Sequence, residues 1–105
     1  MNVTPYPDII TVEVDSEVQS IVPEFLENRK KDCLLISRLL EMDSFGEIRS
    51  LGHRMKGAGG SYGFDEISRI GEVIEEAALS ADNKTIGSAV LQLSNYLERV
   101  VVVYV

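Results

Sequence analysis

One stretch concentrates the residues that could do chemistry: Leu51-Gly52-His53-Arg54-Met55-Lys56-Gly57-Ala58-Gly59-Gly60-Ser61-Tyr62-Gly63-Phe64. His53 is the single histidine of the chain, and it opens the pattern His-x-x-Lys-Gly, with Gly63 further on. The protein carries 17 acidic and 10 basic residues, yet Ile48 to Phe64 contains no acid and holds Arg49, Arg54 and Lys56. An imidazole is a nucleophile. Cations gathered around it favour an anionic reaction partner such as a phosphoryl group.

Other chemistries fit less well. A metal site needs several converging ligands; there is no second histidine, and the nearest carboxylate, Glu47, lies six residues before His53. A nucleophilic triad needs an acid to orient the imidazole, and nothing acidic is expected near His53. Gly57-Ala58-Gly59-Gly60 follows an expected helix, not a strand, and lacks the lysine and hydroxyl order of a nucleotide-binding loop.

A helix must position these residues. At about 100° per residue, Phe45, Ile48, Leu51, Gly52, Met55, Ala58, Gly59 and Tyr62 share one face, with His53 roughly 160° from its centre. The imidazole is therefore expected to point at water. Arg49, Ser50, Lys56, Gly57 and Gly60 share its face by helical spacing. Glycines there are poor for helix stability but leave the ring open to another surface.

His53, Lys56, Gly57 and Gly63 within a four-helix pattern resemble the histidine phosphotransfer (HPt) domain family, over roughly Ser16 to Val100. The resemblance implies a phosphocarrier, not an enzyme with its own turnover. It would relay a phosphoryl group between receiver-domain aspartates in a two-component phosphorelay. His53 would be phosphorylated at Nε2. Lys56 would balance the phosphoryl charge, with Arg49 as an auxiliary charge. Gly57, Gly60 and Ser50 would let the partner dock. The implied partners are response-regulator receiver domains and a hybrid histidine kinase. No cofactor or metal is expected on this chain; Mg2+ is expected on the partner's receiver domain. A different reading is a helical docking module that binds signalling partners without phosphorylation.

The rest of the chain is consistent with one domain. Its 105 residues suit a single core that folds without staples. Apolar residues make up 45% and charged residues 26%, the balance of a globular chain. The net charge of −7 argues against nucleic-acid binding. Cys33 is alone, so no internal disulfide is expected. The N-terminus lacks the pattern of a signal peptide, no apolar run is long enough for a membrane span, and a cytoplasmic location is expected.

The expected fold class is all-α: an antiparallel up-down four-helix bundle with a kinked or split first helix. Residues 1–15 form an N-terminal extension, irregular around Pro5 and Pro7. The bundle covers 16–100, and 101–105 is a strand-like tail. Ser16 to Gln19 reads as a capping box opening a short helix to about Val22, with a kink at Pro23 and a long helix to about Glu41. Val18, Ile21, Val22, Phe25, Cys33, Ile36, Leu39 and Leu40 form its apolar face, and Arg29 and Asp32 read as a partly buried ion pair. Ser44 and Glu47 form a second capping box, before the His53 helix, which ends between Gly59 and Tyr62. A third helix runs from Phe64 to about Leu79, with Glu66, Glu72, Glu75 and Glu76 read as a solvated face. After a turn at Ser80–Asn83, Ile86, Ala89, Val90, Leu93, Tyr96, Leu97 and Val100 mark the fourth.

Ile10–Val14 alternates as a strand, and Val101–Tyr104 is β-branched and aromatic. An antiparallel pair of these termini is expected, at the base of the bundle away from His53. A monomer is expected, with the termini offering a route to a dimer.

Overall fold

The computed structural model describes residues 8–105. The irregular lead-in expected at Pro5 and Pro7 lies outside the described residues. The order is β1 (Ile10–Val14), a single 3-10 turn (Ser16–Val18), α1 (Val22–Glu41), α2 (Phe45–Ser61), α3 (Asp65–Leu79), α4 (Asn83–Arg99) and β2 (Val100–Tyr104). Each helix packs on the next, and α1 also packs on α4, which makes a four-helix bundle.

The apolar stripes account for this packing. Phe64, Ile67, Ile70, Gly71, Ile74, Ala77 and Ala78 are all buried, as are Ile86, Ala89, Val90, Leu93, Tyr96 and Leu97. On α1 the stripe holds at Val22, Phe25, Cys33, Ile36 and Leu39, but Ile21 stands outside as the residue that caps the helix. Phe25 stacks on Phe64 and meets Tyr62 edge-on, at centroid distances of 5.5 and 5.0 Å. These rings close one end of the core.

The three connections between helices share one design. Asp43, Gly63 and Ala81 have φ of 53°, 86° and 52°. The next amide in each case bonds back to a carbonyl five residues earlier: Ser44 to Leu39, Phe64 to Gly59 and Asp82 to Ala77. This left-handed closing turn satisfies orphan carbonyls and reverses the chain within three residues.

The first helix is split, but by different means from those the sequence suggested. Ser16 does not cap an α-helix. Asp15 does the capping, its side chain accepting from the Glu17 amide, and only a 3-10 turn follows. Pro23 causes no kink; it sits in the first turn of α1, where its missing N–H has no helical partner to lose. Ser44 occupies the N-cap of α2 but its side chain makes no capping bond. Its ψ of 62° departs from the extended conformation that aims a capping hydroxyl at the first turn. Asp82 does cap α4, accepting from the Thr85 amide.

The terminal strands pair, and they pair in parallel, with Ile10 opposite Val100 and Val14 opposite Tyr104. This corrects the antiparallel expectation. That expectation took β1 to lead straight into α1, whereas a 3-10 turn and the further turn at Gln19–Ile21 intervene. A parallel pair needs a long crossover connection, and here the whole bundle is that connection. Val100 is extended directly after α4, so β2 continues that helix outward, and the Val105 amide bonds the Val14 carbonyl at 2.9 Å. Ile10, Val12 and Val14, with Val100, Val102 and Tyr104, pack on the core, while Val101, Val103 and Val105 are exposed. The strands lie at the Gly63 end, where the Glu13 carbonyl is 3.9 Å from a Cβ built on Gly63. His53 is ten residues earlier, about 15 Å along the helix axis.

Candidate functional site

The site is built on the contact between α2 and α3. Ile48, Gly52, Met55 and Gly59 are buried on α2, with Leu51, Ala58 and Tyr62 half-buried beside them. A Cβ on Gly52 would come within 2.7 Å of the Glu75 amide nitrogen and 2.8 Å of the Gly71 carbonyl oxygen. A Cβ on Gly71 would meet the Lys56 amide nitrogen at 2.6 Å, and one on Gly59 the Ser68 amide nitrogen at 2.6 Å. The two backbones therefore touch, which only glycine allows. Residues 52, 56 and 59 meet 75, 71 and 68 in reverse order, so the two helices are antiparallel. Ser68 Oγ also donates to the Lys56 carbonyl at 2.7 Å.

His53 stands away from this contact, its side chain 72% exposed. Its Nδ1 lies 2.6 Å from Glu75 Oε2, and Glu75 is only 18% exposed. The expectation that no acid lies near the imidazole is thus overturned, as is the reading of Glu75 as part of a solvated face. Helical spacing on α2 reports only its own faces; the acid arrives from α3 because the glycine contact lets that helix come close. Gly71, a small residue one turn before Glu75, was the available signal.

A carboxylate accepts hydrogen bonds, so Nδ1 is the protonated nitrogen when the ring is neutral. Nε2 then carries the lone pair at the exposed edge. Lys56, one turn on, lies 3.5 Å from Glu72 Oε1 in an exposed pair. The setting is therefore cationic along α2 and anionic along α3.

The remaining residues fall around the ring. Gly46, Arg49, Ser50, His53, Arg54 and Glu75 line one shallow depression. Ser50 Oγ donates to the Gly46 carbonyl at 3.3 Å. Gly57 is exposed with open space where a side chain would stand, and a Cβ on Gly60 would meet only Ser68 Oγ, at 3.8 Å. Both leave the surface beside His53 unobstructed. Arg54 was singled out only as part of the basic run, yet it lines the depression with His53. Away from the ring, Arg29 and Asp32 form the expected partly buried ion pair, 2.9 Å apart. Burial holds the Asp32 carboxyl above its usual range despite the opposing charges of Arg29 and Arg54.

Among the described residues no group of three or more histidine, cysteine or acidic side chains could hold a metal ion. No described helix is long and apolar enough to cross a membrane. Comparison with protein-family models matches residues 20–102 to the Hpt domain. Searches of curated proteins and of solved structures returned no match.

Proposed function

The chain belongs to the Hpt domain family, whose members are phosphocarrier modules of phosphorelays, and from that premise we propose that His53 is the residue that carries the phosphoryl group between receiver-domain aspartates. The observation that carries this reading is the exposed imidazole whose Nδ1 is engaged by Glu75, leaving Nε2 open.

In the proposed step, the Nε2 lone pair attacks the phosphorus of an aspartyl phosphate on a receiver. The N–P bond forms as the P–O bond breaks, and the aspartate departs as a carboxylate. The ring keeps its Nδ1 proton and so gains positive charge, which the Glu75 carboxylate stabilises through the hydrogen bond it already accepts. The reverse sequence hands the group to another receiver.

Lys56 and Arg49 supply positive charge to the phosphoryl oxygens. The exposed pair between Lys56 and Glu72 is weak enough to be exchanged for a phosphoryl group. Gly57 and Gly60, with Ser50, leave room for the receiver surface. Magnesium belongs in this reading to the receiver. The hybrid histidine kinase is the upstream source of the group, and the cytoplasm is the compartment in which these partners meet.

Incubation with a phosphorylated receiver tests the assignment. Acid-labile label should appear on the wild-type chain and vanish in His53→Gln. Label that survives the substitution would overturn it.

A further inference from the structure

The ribbon formed by the terminal strands has one guarded edge and one open edge. Val105 directs its amide to the Val14 carbonyl and its carbonyl to the Ser16 amide, so both of its backbone groups face β1. Along a strand these groups turn to alternate edges. Val101 and Val103 therefore also face β1, and Val102 and Tyr104 face the other way. Among the described residues the amides and carbonyls of Val102 and Tyr104 have no backbone partner, and neither has the Val100 carbonyl. The Val100 amide is bonded to the Tyr96 carbonyl.

The outer edge of β1 is different. It meets the turn at Gly63, where the Glu13 carbonyl is 3.9 Å from a Cβ built on the glycine, and the Glu13 side chain adds an exposed charge. β2 has no such guard, since Val100 to Val105 holds no charged side chain and no proline. An apolar edge strand without these devices is a template for another strand. Its outward side chains are apolar as well, with Val101, Val103 and Val105 45%, 43% and 67% exposed. A ribbon of only two strands is marginal in water and gains from a further neighbour.

We propose that β2 pairs antiparallel with β2 of a second copy of this chain, making one sheet in the order β1, β2, β2, β1. The strand is its own complement about Val102. In that register Val102 exchanges both hydrogen bonds with its counterpart, and the Tyr104 amide reaches the Val100 carbonyl across the pair. The Val100 amide, already held by Tyr96, is the donor on this edge that stays out of the pair. Val101 lies beside Val103 of the second copy, and their methyl groups cover one another. Charge favours the same place. Two chains of net charge −7 repel across most of their surface, and β2 lets them meet where neither presents a charged side chain. The joint is isologous, so it closes at two copies. His53 stays open, about 15 Å along α2 from the Gly63 end. An edge pair this short buries less than the roughly 1,000 Å² of a stable interface, so association is weak, with a Kd on the order of 10–100 μM.

Sedimentation velocity from about 5 to about 500 μM spans that range, with circular dichroism to check that each variant is folded. The wild-type chain should pass from monomer to dimer. Val101→Asp with Val103→Asp should lose the dimer, because like charges then face each other across the pair. Val101→Lys with Val103→Asp should keep it, because the antiparallel register sets opposite charges side by side. Leu91→Glu, at a residue 73% exposed on α4, should leave it in place. In the wild-type chain, amide exchange at Val102 and Tyr104 should slow about tenfold from the dilute to the concentrated sample, and less at Val101 and Val103, which β1 already holds. A wild-type chain that stays monomeric at the upper concentration would overturn the proposal. So would a dimer that survives the double aspartate variant, one lost in the lysine–aspartate variant or in Leu91→Glu, or one that leaves exchange at Val102 and Tyr104 unchanged. None of these outcomes bears on His53 as carrier.

Discussion

His53 Nδ1 and Glu75 Oε2 stand 2.6 Å apart although 22 residues separate them in the chain. Gly52 and Gly71 make this possible, since a methyl group on either would collide with the facing backbone. The bond selects the ring tautomer in which Nδ1 carries the proton, and the proposed transfer through Nε2 rests on it.

Glu75→Ala should slow phosphoryl transfer without unfolding the protein. Loss of a charge-assisted hydrogen bond of about 1.5–3 kcal/mol corresponds to roughly ten- to hundredfold in rate. Glu75→Gln should lose less, because its amide oxygen still accepts from Nδ1–H. Transfer rates and the nitrogen shifts of His53 check this; an unchanged rate in the alanine variant would remove Glu75 from the mechanism.

Lys56→Ala is expected to slow transfer while stability changes by no more than about 0.5 kcal/mol, since its partner Glu72 is exposed. Rates and a urea midpoint, measured together, separate the two effects.

The glycines of α2 divide by face. Gly52→Ala should destabilise by about 1–3 kcal/mol through overpacking, and a drop of roughly 4–8 °C per kcal/mol in Tm would report it. Gly57→Ala meets open space and should stabilise by up to about 1 kcal/mol, as in any exposed helix. Gly57→Glu should keep helicity but weaken receiver binding by bulk and like charge.

The strand register predicts opposite outcomes for neighbouring valines. Val102 packs toward the core and Val103 faces out. Val102→Asp should cost about 1–2 kcal/mol by burying a charge beside Val12. Val103→Asp should stay within about 0.5 kcal/mol. Equal effects in thermal unfolding would contradict the register.

Cys33 is 8% exposed, and burial, with Asp32 adding to it, pushes its thiol up to about 11. At pH 8 the thiolate fraction is roughly one in a thousand, so a disulfide reagent should label the native protein slowly and the unfolded one fast. The fold holds the protonated thiol. Stability should therefore fall as pH rises from the unfolded value of 9.0 toward about 11. Fast native labelling would show that the thiol is open to solvent.

Local periodicity was enough to place His53 on the outer face of α2, to place the buried stripes of α3 and α4, and to find the reversals at Gly63 and at Ser80–Asn83. These depend on a residue's neighbours within a turn or two, which the sequence lists directly. It was also enough to mark Ile10–Val14 and Val101–Tyr104 as strands, because alternation and β-branching are local too. Strand direction was not legible, since alternation reads the same both ways and the turn at Ser16–Ile21 decides how β1 meets the bundle. The cap expected at Ser16 failed because only a 3-10 turn, capped by Asp15, forms there, and the one expected at Ser44 failed because its hydroxyl makes no bond to the first turn of α2. Glu75 was hidden for a longer-range reason. On α3 alone it is one glutamate among several, and it becomes the partner of His53 only when the glycine-to-backbone contact fixes the register of α3 against α2. The tertiary structure alone decided which nitrogen of the ring is held and which is free.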